Sequence, residues 1–460
     1  MLNKSTAEDV LRAALRTGGD FAEIFCEDRM SGAMGLVNGH VEAATTVRRH
    51  GAGIRIYRGL SSVYVHTNDT SPSGLLAAAG RAADAIDGAA GDMDIRLIRS
   101  LPGNLHPVWE MPMDVAGSRK AALLRNCDLA ARDISPEISQ VRASLNHWTS
   151  EVEIANSEGL FTGDTRVYTR LFVSAVAARE GESQSGREAP GAMMGFELFS
   201  GKVDPAEAAR IAARRAVTML HADACPAGVM PVVIDGGFGG VIFHEACGHS
   251  LEASAVAFGN SEFAGRMGQP IASPRVTAID DGTLPGEWGS INIDDEGVPA
   301  TKLTLIENGI LKNYMVDRLN GRRMGLPSTG SGRRQDYTYA PTSRMRSTYI
   351  AAGADDEAEI ISSCPDGLYA KAMGGGSVNP VTGEFNFAVD EGYLIRNGRI
   401  DVPVRGASLI GRGSEILLKI DRVGRNMTLA QGMCGASSGS IPVNVGQPMI
   451  RVTDMTVGGR

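Results

Sequence analysis

At 460 residues the chain has room for two or three domains, each burying its own core. Its 45 basic and 53 acidic residues leave a formal charge of -8, which argues against a nucleic-acid partner, since phosphates call for a basic face. The opening MLNKSTAEDV has no apolar stretch to act as a secretory signal, and no run of ~18 apolar residues offers a membrane span. Six cysteines (Cys26, Cys127, Cys225, Cys247, Cys364 and Cys434) stand singly, without CxxC spacing, and so read as reduced thiols of a cytoplasmic protein.

The N-terminal half alternates helices and strands. Ser5 and Glu8 have capping-box spacing, Val10, Leu11, Ala14 and Leu15 form an apolar stripe, and Gly18-Gly19 ends that helix. Residues 21–26 read as a strand, Asn38-Gly39 as a two-residue hairpin turn, and 53–66 as a second hairpin. Residues 73–85 and 119–133 read as helices. Strands return over 137–179, with a turn at Asn156-Ser157-Glu158-Gly159. Asp204 and Pro205 open a further helix that runs to about Leu220; proline suits the first turn, where an N–H has no helical partner to lose.

Cys225-Pro226-Ala227-Gly228 has the composition of a linker, and it divides the chain into domains of residues 1–225 and 226–460. Residues 229–234 form a buried-type strand, with Pro231 pointing to an edge position. A glycine-rich turn and one long helix should follow. From Gly282 onward, Asn308-Gly309, Gly374-Gly375-Gly376 and Asn397-Gly398 separate short strands. The expected fold is α+β: an N-terminal α/β domain of hairpins and helices, then a mostly antiparallel β domain, an open sheet or partial barrel.

The long helix carries the chemistry. Residues 236–252 read GGFGGVIFHEACGHSLE, so that His244 and His249 flank Glu245. Two imidazoles and a carboxylate are what a hydrolytic zinc site needs, nitrogens to hold the ion and a base to take a proton from water. In HExxH the histidines share one helical face; here they are one residue further apart, ~140° around a regular helix. A π-type turn would bring them onto one face, so a distorted helix is expected, with Gly248 giving the backbone room. The same residues also suit a surface helix without metal. The other histidines (His40, His50, His66, His106, His147 and His221) precede the domain boundary. A third ligand must then come from Cys247, Cys364 or Cys434, or from a carboxylate such as Glu252 or Glu262. Cys434 sits in Gly432-Met433-Cys434-Gly435, a tight loop able to present a thiolate.

With these residues in view, the chain resembles the TldD subunit of the TldD/PmbA (TldD/TldE) metallopeptidases over essentially its whole length. The matching segments are FHEACGHSLEA from Phe243, GSINIDDEGVPA from Gly289 and LIENGILKNYMVDRLNGRRMG from Leu305. They continue with STGSGRR from Ser328, RMRSTY from Arg344, GGGSVNPVTGEFNFAVDEGYLIRNGRI from Gly374, GASLIG from Gly406 and GMCGASSGSIPVNVGQPMIRV from Gly432. The N-terminal match rests on the helix, strand and hairpin pattern. The resemblance implies that His244, His249 and Cys434 bind one Zn2+ per catalytic chain, that Glu245 is the general base, and that Cys247 is a packing residue. It implies hydrolysis of peptide bonds in unfolded or extended peptides, for precursor processing or degradation. It also implies a dimer, either of two such chains or with a metal-free PmbA/TldE-like partner.

Other segments carry open readings. Tyr337, Tyr339 and Tyr393 are candidates to steady an oxyanion, or packing residues. Gly374, Gly375 and Gly376 would let a substrate strand lie along a sheet edge through main-chain bonds, or they mark a bulge. Arg318, Arg322, Arg323, Arg333, Arg334, Arg344 and Arg346 would bind a peptide carboxylate, or pair with acids such as Asp294, Asp295 and Glu296. Asp280-Asp281-Gly282 reads as a turn. The alternative to a peptidase is a non-catalytic interaction or regulatory protein of the same type. Such a module has no use for a general base beside a metal, and this favours the enzyme.

Overall fold

The computed structural model describes residues 2–86, 88, 94–379 and 381–459. The first helix, Lys4–Leu15, is capped by Asn3 and not by the expected pairing of Ser5 with Glu8. The Asn3 side chain accepts the Thr6 amide at 2.8 Å, while Glu8 accepts the amide of Leu97 at 3.1 Å. Asparagine caps as well as serine does, so the helix begins earlier than expected.

The strand expected over 21–26 runs on as Phe21–Val37 because both of its edges find partners. His40–Arg58 pairs along one side and Ile138–Asn156 along the other, and these ladders extend it where apolar alternation has ceased. Asn38 and Gly39 take φ of 49° and 82°, the two left-handed positions a hairpin turn of this length demands. Ser61–Thr67 and Leu160–Arg179 continue the sheet on either side, to eight strands in all. Successive residues face opposite ways. Ile24 packs with Val10, Leu11, Leu75 and Ala79 from helices Lys4–Leu15 and Pro72–Asp84. Phe25 packs with Val152, Ile154 and two residues from the C-terminal half, Ile293 and Tyr337. Helices Gly117–Arg132 and Pro205–Leu220 join the apolar cluster of strands Ile138–Asn156 and Leu160–Arg179.

Gly228–Ile234 opens a second sheet, and there Pro231 does not mark an edge. The strand lies between Asp366–Val378, which is parallel to it, and Ile450–Gly458, which is antiparallel. The latter ladder slips between Met230 and Val232, so the proline occupies a bulge where its missing N–H goes unnoticed. Asp366–Val378 pairs onward with Glu384–Arg396, that strand with Ser408–Arg412, and that with Ile450–Gly458. The expected partial barrel therefore closes into a ring of strands, antiparallel at every seam but one. Beside it lies a six-stranded sheet whose last strand is Thr428–Ala436. The long helix expected after the first barrel strand breaks instead into short turns of different pitch. No helix among the described residues is long and apolar enough to cross a membrane.

The arginine run is taken up by structure. Arg318 pairs with Glu158 at 2.6 Å, Arg322 with Asp20 at 2.5 Å, and Arg334 with Glu23 at 3.1 Å, all acids of the N-terminal half. Arg323 and Arg333 donate to the carbonyls of Leu60 and Met345 at 2.8 and 2.7 Å. Of the acids expected to pair with this run, Asp295 binds Arg166 at 2.6 Å and Glu296 binds Arg55, while Asp294 accepts the amides of Glu296, Val298 and Gly332. Asp280 is no turn residue: it is fully buried and holds Arg346 at 2.8 Å.

Candidate metal centre

Strand Gly228–Ile234 delivers the chain into the glycine turn Gly237–Gly240. Gly237 takes a φ of 61°, and Gly240 lies so close to Gly446 that a Cβ would stand 2.4 Å from its backbone. One α-turn, Val241–Phe243, is followed by the π-turn His244–Gly248. The His249 amide donates to the carbonyl of His244, and that widened ring carries the two histidines onto one face, as their spacing demands. Gly248 contributes in another way than expected. Its φ of -54° is open to any residue; a side chain is excluded because its Cβ would meet the Met345 sulfur at 2.3 Å.

The imidazoles meet a thiol from the edge strand Thr428–Ala436. His244 Nε2 is 3.4 Å and His249 Nε2 is 3.2 Å from Cys434 Sγ. The three donor atoms lie within 4.8 Å of one another, the one such group found among the described residues. His244 and Cys434 are 2% and 5% exposed. Burial raises the thiol's pKa, but the charges and hydrogen bonds of His244 and His249 outweigh it and bring Cys434 down to about 4. For His249, burial favours the neutral ring, and the Glu252 carboxylate, 3.1 Å from Nδ1, overcomes this and raises the imidazole well above its usual pKa.

Behind these groups stands a buried support. Glu252 also accepts the Met345 amide at 3.3 Å and lies 3.8 Å from the Arg344 guanidinium. Arg344, with no exposed surface, donates to the Cys434 carbonyl at 2.5 Å and to Ser438 Oγ and the Gly439 carbonyl, each at 2.9 Å. One guanidinium thus ties the hairpin of the thiol to the carboxylate that orients His249. Glu245 is placed differently: its Oε2 is 3.7 Å from His249 Nε2, and the side chain is 25% exposed.

The remaining candidates lie apart. Cys247 is buried in the main apolar core, which pushes its thiol pKa well up. Cys364 packs with Ile360 and Tyr369 in another cluster, and Glu262 borders Gly383. Glu252, weighed as a ligand, serves His249 instead. Tyr337 packs on Phe25, the Tyr393 hydroxyl donates to Glu391 at 2.8 Å, and the Tyr339 amide donates to the Asp336 carbonyl at 3.1 Å. Arg344 entered the sequence reading only as one of the arginine run, for a peptide carboxylate or an ion pair; that it ties Glu252 to the hairpin of Cys434 had no local signal. The part played by Glu252 had a signal, since a ligating histidine commonly gives its second nitrogen to a carboxylate.

The glycine run forms a bulge: the ladder to Glu384–Arg396 slips between Met373 and Gly376. Gly374 and Gly376 are packed against Asp390 and Phe387, whereas a Cβ on Gly375 would meet nothing within 4 Å. Gly375 lines a cleft of about 800 Å³ that is also lined by Gly236, Phe238 and every residue from Leu429 to Met433, the residue before Cys434.

Three family models match the chain: PmbA/TldA metallopeptidase domain 1 at residues 22–86, the central domain at 112–220 and the C-terminal domain at 227–459. The Metalloprotease TldD homolog of Haemophilus influenzae is 35% identical over 452 residues, spanning 96% of this chain and 93% of that protein. The Zinc metalloprotease TldD homolog of Saccharolobus solfataricus is 30% identical over 247 residues, 54% of this chain and 55% of its own. The crystal structure of TldE from Thermococcus kodakarensis superimposes with a TM-score of 0.75 at 18% identity, covering 99% of this chain and 100% of the other. At that identity the likeness is one of fold.

Proposed function

Since the chain belongs to the PmbA/TldD metallopeptidase family, we propose that it is a zinc-dependent peptidase, with His244, His249 and Cys434 as metal ligands and Glu245 as general base. The observation that carries this reading is the convergence of two imidazole nitrogens and a thiol sulfur on one point, beside a partly exposed carboxylate. The donor set suits zinc: two nitrogens and a low-pKa sulfur leave a fourth position open, the pattern of catalytic rather than structural sites. Bound there, zinc would supply a Lewis acid that polarises a peptide carbonyl and eases the ionisation of water.

The chain's own groups handle the rest. Glu245, reachable by solvent, takes a proton from water at one oxygen and passes it to the departing amine. Glu252 holds the Nδ1 proton of His249, which keeps Nε2 free to act as a ligand. Arg344 fixes the backbone of Cys434 so that the sulfur does not swing away.

Substrate would lie in the cleft that leads to Cys434. Thr428–Ala436 is the last strand of its sheet, and its residues from Leu429 to Met433 line the cleft. An extended peptide could add to such an edge through main-chain bonds, with little regard for its sequence. This favours unfolded or extended peptides over folded proteins. Of the three glycines considered for substrate binding, Gly375 is the one that opens onto this space. The reading includes a cytoplasmic, dimeric protein, paired with a second copy or with a metal-free relative.

Elemental analysis and a peptidase assay test the proposal together. The wild type is expected to hold about one zinc per chain and to cleave an unfolded peptide mixture; Cys434→Ala should lose the metal, and Glu245→Gln should keep it and be inactive. Metal-free, inactive wild-type protein, purified without chelator and tested also with a metal-free relative, would leave the non-catalytic reading standing.

A further inference from the structure

We propose that Arg170 is a carboxylate-binding residue of the cleft beside Cys434, holding an acidic side chain or the C-terminus of a peptide about three residues from the bond that is cut. The inference rests on the peptidase reading above, and adds which peptides the site prefers. Four cations line this cleft. Three of them have acids: Arg187 lies 3.0 Å from Asp390, Arg215 lies 2.8 Å from Glu188, and Lys371 lies 2.7 Å from Glu391. Arg170 forms no ion pair with any carboxylate among the described residues. Burial lowers its pKa, and no neighbouring charge offsets that effect. A cation drawn out of water without a counterion is costly to hold, and an anion delivered by a ligand relieves that cost.

The guanidinium is fixed in place. Its Nε donates to the Ala189 carbonyl and one Nη to the Gln431 carbonyl, each at 3.1 Å, and its carbon stands 5.0 Å from the centre of the Trp288 ring. Trp288 is fully buried and is held in turn by its own N–H, which donates to the Gly432 carbonyl at 2.9 Å. The second Nη of Arg170 has no acceptor among the described residues. Two of the five N–H groups are thus spent on orientation, and the end of the fork is left for a carboxylate, whose two oxygens match its geometry.

Backbone geometry sets the distance from the metal centre. Gln431 lies opposite Asn444 on the edge strand Thr428–Ala436. The Asn444 amide points away, to the Arg346 carbonyl at 3.0 Å, so the pair is not hydrogen-bonded and Gln431 turns its own N–H and C=O to the open side. Met433, two residues nearer the metal centre, faces the same way. At Gln431 the outward carbonyl is already taken by Arg170. A peptide paired along the edge from Cys434 therefore meets the guanidinium there. Three residues of extended chain separate Gln431 from Cys434, a span of ~10 Å.

Two sets of peptides separate the sources of the carboxylate. End-blocked neutral octapeptides with one glutamate at successive positions, each beside its glutamine twin, report on a side chain; a free-acid peptide beside its amide reports on the chain end. In one set or the other, the wild type is expected to cut about three residues from the carboxylate. Its KM there should be about tenfold or more below that of the uncharged twin, with similar kcat. Arg170→Gln should erase this KM ratio and Arg170→Lys should keep part of it. An arginine that merely braces Gln431 would, when replaced, raise both KM values and leave the ratio standing. Calorimetric titration of the same peptides into Glu245→Gln reads the preference without turnover. Cleavage with equal KM for both members of every pair would overturn the carboxylate site and leave the peptidase. Carboxylate-selective binding by a protein that cuts nothing would overturn the peptidase and leave the site. Neither cleavage nor selective binding would overturn both.

Discussion

Single residues at the candidate metal centre work in pairs. Glu252 acts through His249, so Glu252→Gln is expected to keep the fold and weaken zinc binding about 10–100-fold, read by competition with a chelator. An unchanged affinity would show that the carboxylate does not orient the ring. Far from the site, His147 is pressed against Lys120, with Nζ 3.2 Å from Nε2. Burial, and then the lysine's charge, lowers its pKa from 6.5 to about 4. The folded protein therefore resists protonating this ring while the unfolded chain does not. Its contribution to stability is complete above about 6.5 and is lost as the pH falls toward about 4. The urea midpoint should drop across that window, and His147→Gln should flatten the drop; an identical slope would acquit the histidine. Glu252, three residues on from His249, left a signal of its partnership, but the second partnership was not legible in the sequence. Lys120 and His147 lie on different elements, and nothing local announces that they meet.

At the scale of elements, legibility followed the range of the forces. The Asn38-Gly39 turn and the Asp204-Pro205 helix start were readable because each depends on a few consecutive residues: two left-handed φ values in one case, a side chain capping the amides of Ala206 and Glu207 in the other. The π-turn was readable too, since the spacing of His244 and His249 admits little else. Pro231 was misread because the missing N–H tells of a missing ladder bond, and a bulge supplies that as well as an edge does. The helix after it was misjudged in length because what ends it depends on distant contacts: the run breaks at Glu252, extended at φ -74° and ψ 130°, whose carboxylate also takes the Met345 amide. Gly248 belongs to the same class: its constraint is Met345, 2.3 Å from a would-be Cβ. Gly248→Ala is accordingly expected to cost about 1–3 kcal/mol by overpacking and to weaken metal binding, measured by thermal unfolding with and without zinc. A variant as stable as wild type would mean that Met345 simply moves aside.

At the scale of the whole molecule, the two halves are riveted by buried ions. Arg55 lies 3.0 Å from Glu23 on its own sheet and also binds Glu296 from the C-terminal half, and Arg334 crosses the same boundary to Glu23 at 3.1 Å. All are nearly sealed from water, so removing one partner strands a charge. Arg334→Met should lower the unfolding free energy by about 3–5 kcal/mol in urea, and adding Glu23→Gln should return part of it. A loss below about 1 kcal/mol would mean that water reaches the junction. The arginine run was visible in the sequence, and so were acids near it, but the acids that pair with it mostly lie hundreds of residues away and could not be matched by proximity. The barrel has a consequence of another kind. Its first strand, Gly228–Ile234, has Ile450–Gly458 as a neighbour, and Cys434 follows His249 by 185 residues. During synthesis the histidines thus emerge from the ribosome long before their thiol, and the wall behind them lacks its closing stave. On the proposed reading, a nascent chain of this protein has no complete zinc site, and so can cut nothing, its own unfinished length included, until Cys434 and the closing strand Ile450–Gly458 have been made.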